Sequence, residues 1–129
     1  MLGVDMPAVE VIFYQDAQGK TPRLIEWLDA LSPKARVKCL VRLKRLEDLG
    51  HELRRPEADF LRDGIYELRA SYQGVHYRML YFFHGGKAVV VTHGVVKERE
   101  VPSQEIDKAI RARSTFELNP AAHTFKPRR

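Results

Sequence analysis

The chain has 129 residues, of which 44% are hydrophobic and 30% charged, and its formal net charge is +5. That length builds one domain with a single modest core, and no apolar run approaches the ~20 residues that cross a bilayer. One cysteine, Cys39, excludes an intrachain disulfide framework, and Met1 to Met6 lacks the basic start and long apolar centre of a secretory signal, which together point to a reducing cytoplasm.

Ala8 to Tyr14 alternates Val9, Val11 and Phe13 with Glu10 and predicts a first strand, whose neighbour the sequence does not give. Gln15 to Lys20 is a loop. Thr21-Pro22 opens a helix, with threonine as the cap and proline at a position where no N–H is missed. Leu24, Ile25, Leu28 and Leu31 form its apolar face, with Trp27 beside them as core packing. Ser32-Pro33 repeats the opening device for a second helix ending near Leu49, with Gly50 as the stop, so the two form a helical hairpin. The second helix carries two stripes. Cys39, Leu43, Leu46 and Leu49 make one; Val37, Leu40 and Val41 make another. Such a helix is either sandwiched between sheet and first helix, or has a face left for a partner. Lys34, Arg36, Lys38, Arg42, Lys44 and Arg45 make it basic, and Cys39 reads as core filler. His51 to Gly64 reads as irregular, broken by Pro56 and closed by the Asp63-Gly64 turn, with His51, Arg54 and Arg55 as exposed candidates for contacting phosphates.

Ile65 to Arg99 organises the rest. Three runs rich in Tyr, Phe and Val are separated by Gln73-Gly74 and Gly85-Gly86, which predicts a three-stranded antiparallel meander. A two-residue turn at Gln73-Gly74 sets Arg69 opposite Arg78. A two-residue turn at Gly85-Gly86 sets Arg78 opposite His93. Arg69, Arg78 and His93 would then form one row across three strands, with Val95 and Lys97 on the same face. Directly opposed arginines repel, so the row calls for a bound anion, for solvent, or for neutralisation by Glu67 and other carboxylates. Tyr66, Leu68, Ala70, Tyr77, Met79 and Tyr81 supply the opposite, core face, continued by Val90 and Thr92; Leu80, Phe82, Val89 and Val91 are expected on the arginine face. After Val101-Pro102-Ser103 a third helix presents Ile106, Ala109 and Ile110, with Lys108, Arg111 and Arg113 towards its negative end. Residues 1–113 read as the domain and 114–129 as a basic, aperiodic C-terminal tail open to disorder.

The element order, with Gly64-Ile65-Tyr66-Glu67-Leu68-Arg69, Tyr77-Arg78-Met79-Leu80-Tyr81-Phe82 and Thr92-His93-Gly94-Val95-Val96-Lys97, resembles the RelE/ParE superfamily of bacterial toxins. It is most similar to the HigB-like, phage-derived branch, over roughly Val9 to Arg113. The resemblance implies a RelE-like α+β fold: a small, antiparallel-rich sheet of the N-terminal strand and the meander, packed with an N-terminal helical hairpin and a C-terminal helix. It implies a cytoplasmic toxin of a type II toxin–antitoxin system that inhibits growth as a metal-independent mRNA endoribonuclease, typically at the ribosome, with no cofactor. The implied partner is a HigA-like helix-turn-helix antitoxin, with DNA reached only through the antitoxin complex and no membrane involved. Arg78 matches the arginine that contacts the scissile phosphate, Lys97 (or Arg99, with a small gap) the basic residue after the last strand, and Arg69 a basic family position. Arg54, Arg55 and Arg99 are the further RNA-binding candidates. Ile65 and Glu67 stand where ribosome-dependent RelE-branch members carry lysines, and Pro102-Ser103-Gln104 where they carry a tyrosine, which leaves His93 or His51 to move protons. Two other readings stay open: a ParE-like toxin acting by protein contact, and an inactive, prophage-derived binding module.

Overall fold

The computed structural model describes residues 7–96 and 99–127, and its centre is the hairpin closed by Gln73-Gly74. Both turn residues take a positive φ, 51° and 79°, the hand that matches the twist of the flanking strands. Strands β1 (Glu10–Tyr14), β2 (Ala58–Arg62), β3 (Ile65–Tyr72), β4 (Val75–His84), β5 (Ala88–Val96) and β6 (Thr124–Phe125) form one sheet in the order β2-β3-β4-β5-β1-β6. The β3–β4 register is the one expected, with Tyr72 opposite Val75 and Arg69 opposite Arg78.

The next hairpin differs. His84 pairs with Ala88, so the connection has three residues, Gly85 to Lys87, instead of two. This puts Val89 and Val91 on the side of Tyr81 and Phe83, and Val90 beside Phe82. The strand then bulges: Tyr81 pairs with Val91 but Leu80 with His93, which leaves Thr92 as the extra residue and swaps the faces back. His93 therefore lies opposite Leu80, and Val95 opposite Arg78. The expected Arg78–His93 pairing is corrected, and Val89 and Val91, not Val90 and Thr92, continue the core layer.

Two further expectations are corrected. The stretch after Pro56 is not irregular throughout, because β2 pairs with β3, setting Ala58 opposite Leu68 and Asp59 opposite Glu67. The segment from Ser114 is not a loose tail over its described length. Helix α3 (Ser103–Leu118) runs through it, a short helix α4 (Pro120–His123) follows, and β6 pairs antiparallel with β1. Phe116 is the residue that anchors it; it packs against Phe82 and His84 on α3's apolar line. β1, whose neighbour the sequence left open, pairs parallel with β5 on its other side.

Helices cover both sheet faces. On one side α1 (Arg23–Asp29) and α2 (Pro33–Leu49) bury Leu24, Leu28, Cys39, Leu43 and Leu46 against Phe13, Leu68, Met79 and Val91. The Ser32 hydroxyl accepts from the Ala35 N–H and caps α2. Arg36 donates to the carbonyls of Leu28, Asp29 and Leu31, satisfying acceptors that the end of α1 leaves open. Trp27 lies flat on Gly94, where any Cβ would fall inside the indole. On the other side α3 buries Ile106, Ala109, Ala112 and Phe116 against Ile12, Leu80, Phe82 and Val90. The second stripe of α2 stays outside: Val37, Leu40 and Val41 are 55%, 47% and 51% exposed. Among the described residues no helix is long and apolar enough to cross a membrane.

Candidate functional site

α3 covers only part of its sheet face. Towards the Gln73-Gly74 end of β3 and β4 the face opens into a basin of about 920 Å³, lined by Arg55, Asp59 and Arg62 from the β2 segment, Glu67 and Arg69 from β3, Arg78 from β4, and Arg99 and Glu100 before α3. Five arginines there face three carboxylates. Alternation puts Glu67, Arg69 and Arg78 on the same side, because Glu67 pairs with Leu80 and Arg69 with Arg78.

Glu67 is the hub. Its side chain is 2% exposed and holds both arginines: Oε1 accepts from Arg78 Nη1 at 2.8 Å, and Oε2 from Arg69 Nη2 at 2.8 Å and Nε at 3.1 Å. A carboxylate so buried is tolerated because charged donors replace its water. Arg69 also reaches Asp59 at 3.3 Å, and Asp59 takes Arg55 at 2.9 Å. The two opposed arginines are thus bridged by a carboxylate from their own sheet. The neutralisation is incomplete. Arg78, whose side chain is 13% exposed, keeps a buried Nε without any hydrogen-bond acceptor among the described residues. A donor in that state costs roughly 1–3 kcal/mol. Arg99 makes no ion pair among the described residues. Arg62 is otherwise employed, binding Asp63, Asp107 and the Ser103 hydroxyl and fixing the start of α3.

Of the residues singled out in the sequence, the basin brings together Arg55, Arg69, Arg78 and Arg99. Lys97 lies outside the described residues. Arg54 is exposed and does not line the basin. His51 stacks on Phe83, ring centroids 3.7 Å apart, on the α2 side of the sheet. His93 shares the Arg78 face but is 5% exposed beneath α3: Nδ1 meets the Thr92 hydroxyl at 2.9 Å and Nε2 the Glu105 carboxylate at 3.0 Å. With the ring neutral, Nε2–H donates to Glu105 and Nδ1 competes with the Leu80 carbonyl, 3.3 Å from the Thr92 hydroxyl, for that hydroxyl's one proton. Burial holds its pKa below the ordinary histidine range, with Glu105 pulling the other way. Cys39 is fully buried and its thiol is pushed up to about 11, which leaves it inert. Sequence reasoning missed Asp59, which sits in a stretch without strand-like alternation, and treats Glu67 only as one possible neutraliser. Its place two residues before Arg69 and one pleat from Arg78 is the available signal.

Residues 26–114, well over half of the chain, match the model of a family described as phage derived protein Gp49-like (DUF891), which is related to RelE-type toxin–antitoxin modules. No curated protein matches the chain.

Proposed function

Because the chain belongs to the phage-derived Gp49-like family, we propose that it is the toxin of a toxin–antitoxin module and that it cleaves mRNA at the arginine basin. The observation that carries this reading is the Arg69–Arg78 pair, held side by side at the floor of an open basin with one buried donor still unsatisfied. Metal-free RNA cleavage asks little of a protein. The substrate 2′-oxygen attacks the adjacent phosphorus, the bond to the 5′-oxygen breaks, the departing 5′-oxygen takes a proton from solvent water, and a 2′,3′-cyclic phosphate and a 5′-hydroxyl result. Charge gathers on the non-bridging oxygens, where fixed guanidinium donors act; one such donor is worth about 10²–10³ in rate. In this reading Arg78 and Arg69 exchange part of their hold on Glu67 for the phosphate. Arg99 completes the cationic rim, Lys97 is a further phosphate-binding residue on the resemblance alone, and Arg55 and Arg54 guide the flanking strand. Neither His93 nor His51 lines the basin, so the 2′-proton goes to a basin carboxylate, Asp59 having the more open side chain of the two on the sheet. The substrate is mRNA at the ribosome. The partner is a HigA-like helix-turn-helix antitoxin, through which alone DNA is reached.

The test is induced expression with primer extension on cellular transcripts, and cleavage assayed with and without EDTA. Arg78→Ala is expected to cut cleavage about 10²-fold or more and to restore growth. Arg99→Ala, at an exposed position that leaves the Glu67 cluster intact, should weaken cleavage without altering the fold. Unchanged cleavage in both variants sinks the proposal.

The Glu67 clamp favours a second reading, in which the arginines are structural and the toxin acts by protein contact, as ParE-like relatives of the superfamily do. DNA damage on induction, without transcript loss, would select it.

A further inference from the structure

The apolar stripe left outside by α2 stands on the sheet face opposite the basin. Val37, Leu40 and Val41 are all about half exposed and fall at i, i+3 and i+4, one side of one helix. The stripe does not end at the helix surface. Leu40 is also a wall of a groove of about 420 Å³ that runs down to the sheet between α2 and β1, lined by Val11, Phe13, Leu43, Lys44, Glu47 and Pro127. Three large aliphatics in a row beside an apolar groove are more than the scattered exposure that surfaces normally show.

The charges around the stripe differ from those elsewhere on α2. Arg42 and Arg45 are spent on Glu57, Lys44 on Glu47 and Asp48, and Arg36 on the end of α1. Lys34 and Lys38 have no ion pair among the described residues, and they flank Val37 and Val41 one turn apart. Helix α2 as a whole carries six cations against two carboxylates. A second copy of this helix would set Lys34 and Lys38 against their own kind. RNA would gain nothing from three aliphatic side chains.

We infer that the Val37–Leu40–Val41 stripe and its groove dock an amphipathic helix of a protein partner, apolar on one side and acidic on the flanks. The apolar side fills the groove and covers the stripe; the acidic flank pairs Lys34 and Lys38. A partner helix laid along the 17 residues of α2 would run roughly 25 Å, long enough for several i, i+3/i+4 anchors. This inference is independent of the nuclease reading, because the docking helix lies across the sheet from the arginines.

The probe is a synthetic helical peptide of about 18 residues with leucines at i, i+3, i+4 and i+7 and glutamates flanking them, titrated calorimetrically into the full chain. A scrambled peptide of the same composition is the control. The expected result is saturable binding that weakens with salt, falls tenfold or more for Leu40→Glu, and falls again for the Lys34→Glu/Lys38→Glu pair. Both sites are exposed, so these variants keep the wild-type unfolding midpoint, and RNA cleavage is unaffected by variant or peptide. Hydrogen exchange should slow over residues 34–48 on binding. Equal binding of the scrambled peptide, or equal affinity of the variants, overturns the inference. So does a chain that sediments as a dimer dissolved by Leu40→Glu, which makes the occupant a second copy. Loss of RNA binding in Leu40→Glu also overturns it, by assigning the surface to nucleic acid.

Discussion

Replacing Glu67 by leucine tests the electrostatics of the basin floor directly. The substitution removes the sole acceptor of Arg78 among the described residues; that side chain is 13% exposed and already has one orphaned donor. Removing one partner of a buried pair costs about 3–5 kcal/mol, because the other charge stays behind uncompensated. The Arg69 contact, about one-third exposed, adds little after screening by solvent, at most ~1 kcal/mol. The expected loss is therefore about 3–6 kcal/mol, a large part of the ~5–15 kcal/mol that holds a domain together. Arg78→Met should cost less, since Arg69 remains to hold Glu67. Making both changes removes charge and countercharge together, and the double variant should return to within ~1 kcal/mol of wild type or exceed it. Urea unfolding reads this out: with a slope of about 2 kcal/mol per molar, the Glu67→Leu midpoint drops by roughly 1.5–3 M and the double variant recovers it. A double variant destabilised by the sum of the two single losses would refute the coupling. The same protein also separates stability from chemistry, because it should be well folded and still unable to cleave RNA.

Acid should weaken the fold through His93. Burial depresses its folded pKa to about 4, so the unfolded chain takes the proton first. The stabilisation is full above about pH 6.5 and is lost as pH falls from there towards the folded value, by up to about 1.4 kcal/mol for each pH unit crossed. The unfolding midpoint should fall from about pH 7 to pH 5 in wild type and much less in His93→Gln; parallel profiles would remove the claim. Gly94→Ala should cost about 1–3 kcal/mol by forcing Trp27 off the sheet, and Trp27→Ala in the same chain should relieve that added cost in thermal melts, whereas additive losses would argue against the contact.

The hairpin that carries the arginines is legible because Gln73-Gly74 admits one tight turn and one register. The next one is not, because Gly85-Gly86-Lys87 fits a two- or three-residue connection equally well, and each added residue turns every following side chain over. Thr92 then cancels part of the error, a local event that alternation alone does not signal. β2 escapes notice because it is a five-residue edge strand beside a proline, and its burial comes from β3 rather than from its own pattern. The end of the chain is hard to read for a similar reason: Phe116 is a lone aromatic in sequence and becomes a core residue only when α3 crosses Phe82. Glu67 and Arg78 stand eleven positions apart, and only the pleat makes them neighbours.

The placement of β1 between β5 and β6 has a kinetic consequence. Its hydrogen-bonding partners lie some eighty and more than one hundred residues downstream, so on a ribosome the first strand leaves the exit tunnel long before either exists. The hairpins of β3, β4 and β5 close short loops and are free to assemble earlier; the opening segment must wait and then slot in, a long-range closure that slows folding. Mutations at Val11 or Phe13 should accordingly speed unfolding while leaving the refolding rate nearly unchanged, and those at Leu68 or Met79 should slow refolding. A chain halted before residue 124 would hold every arginine of the basin yet lack the strand that seals its own beginning.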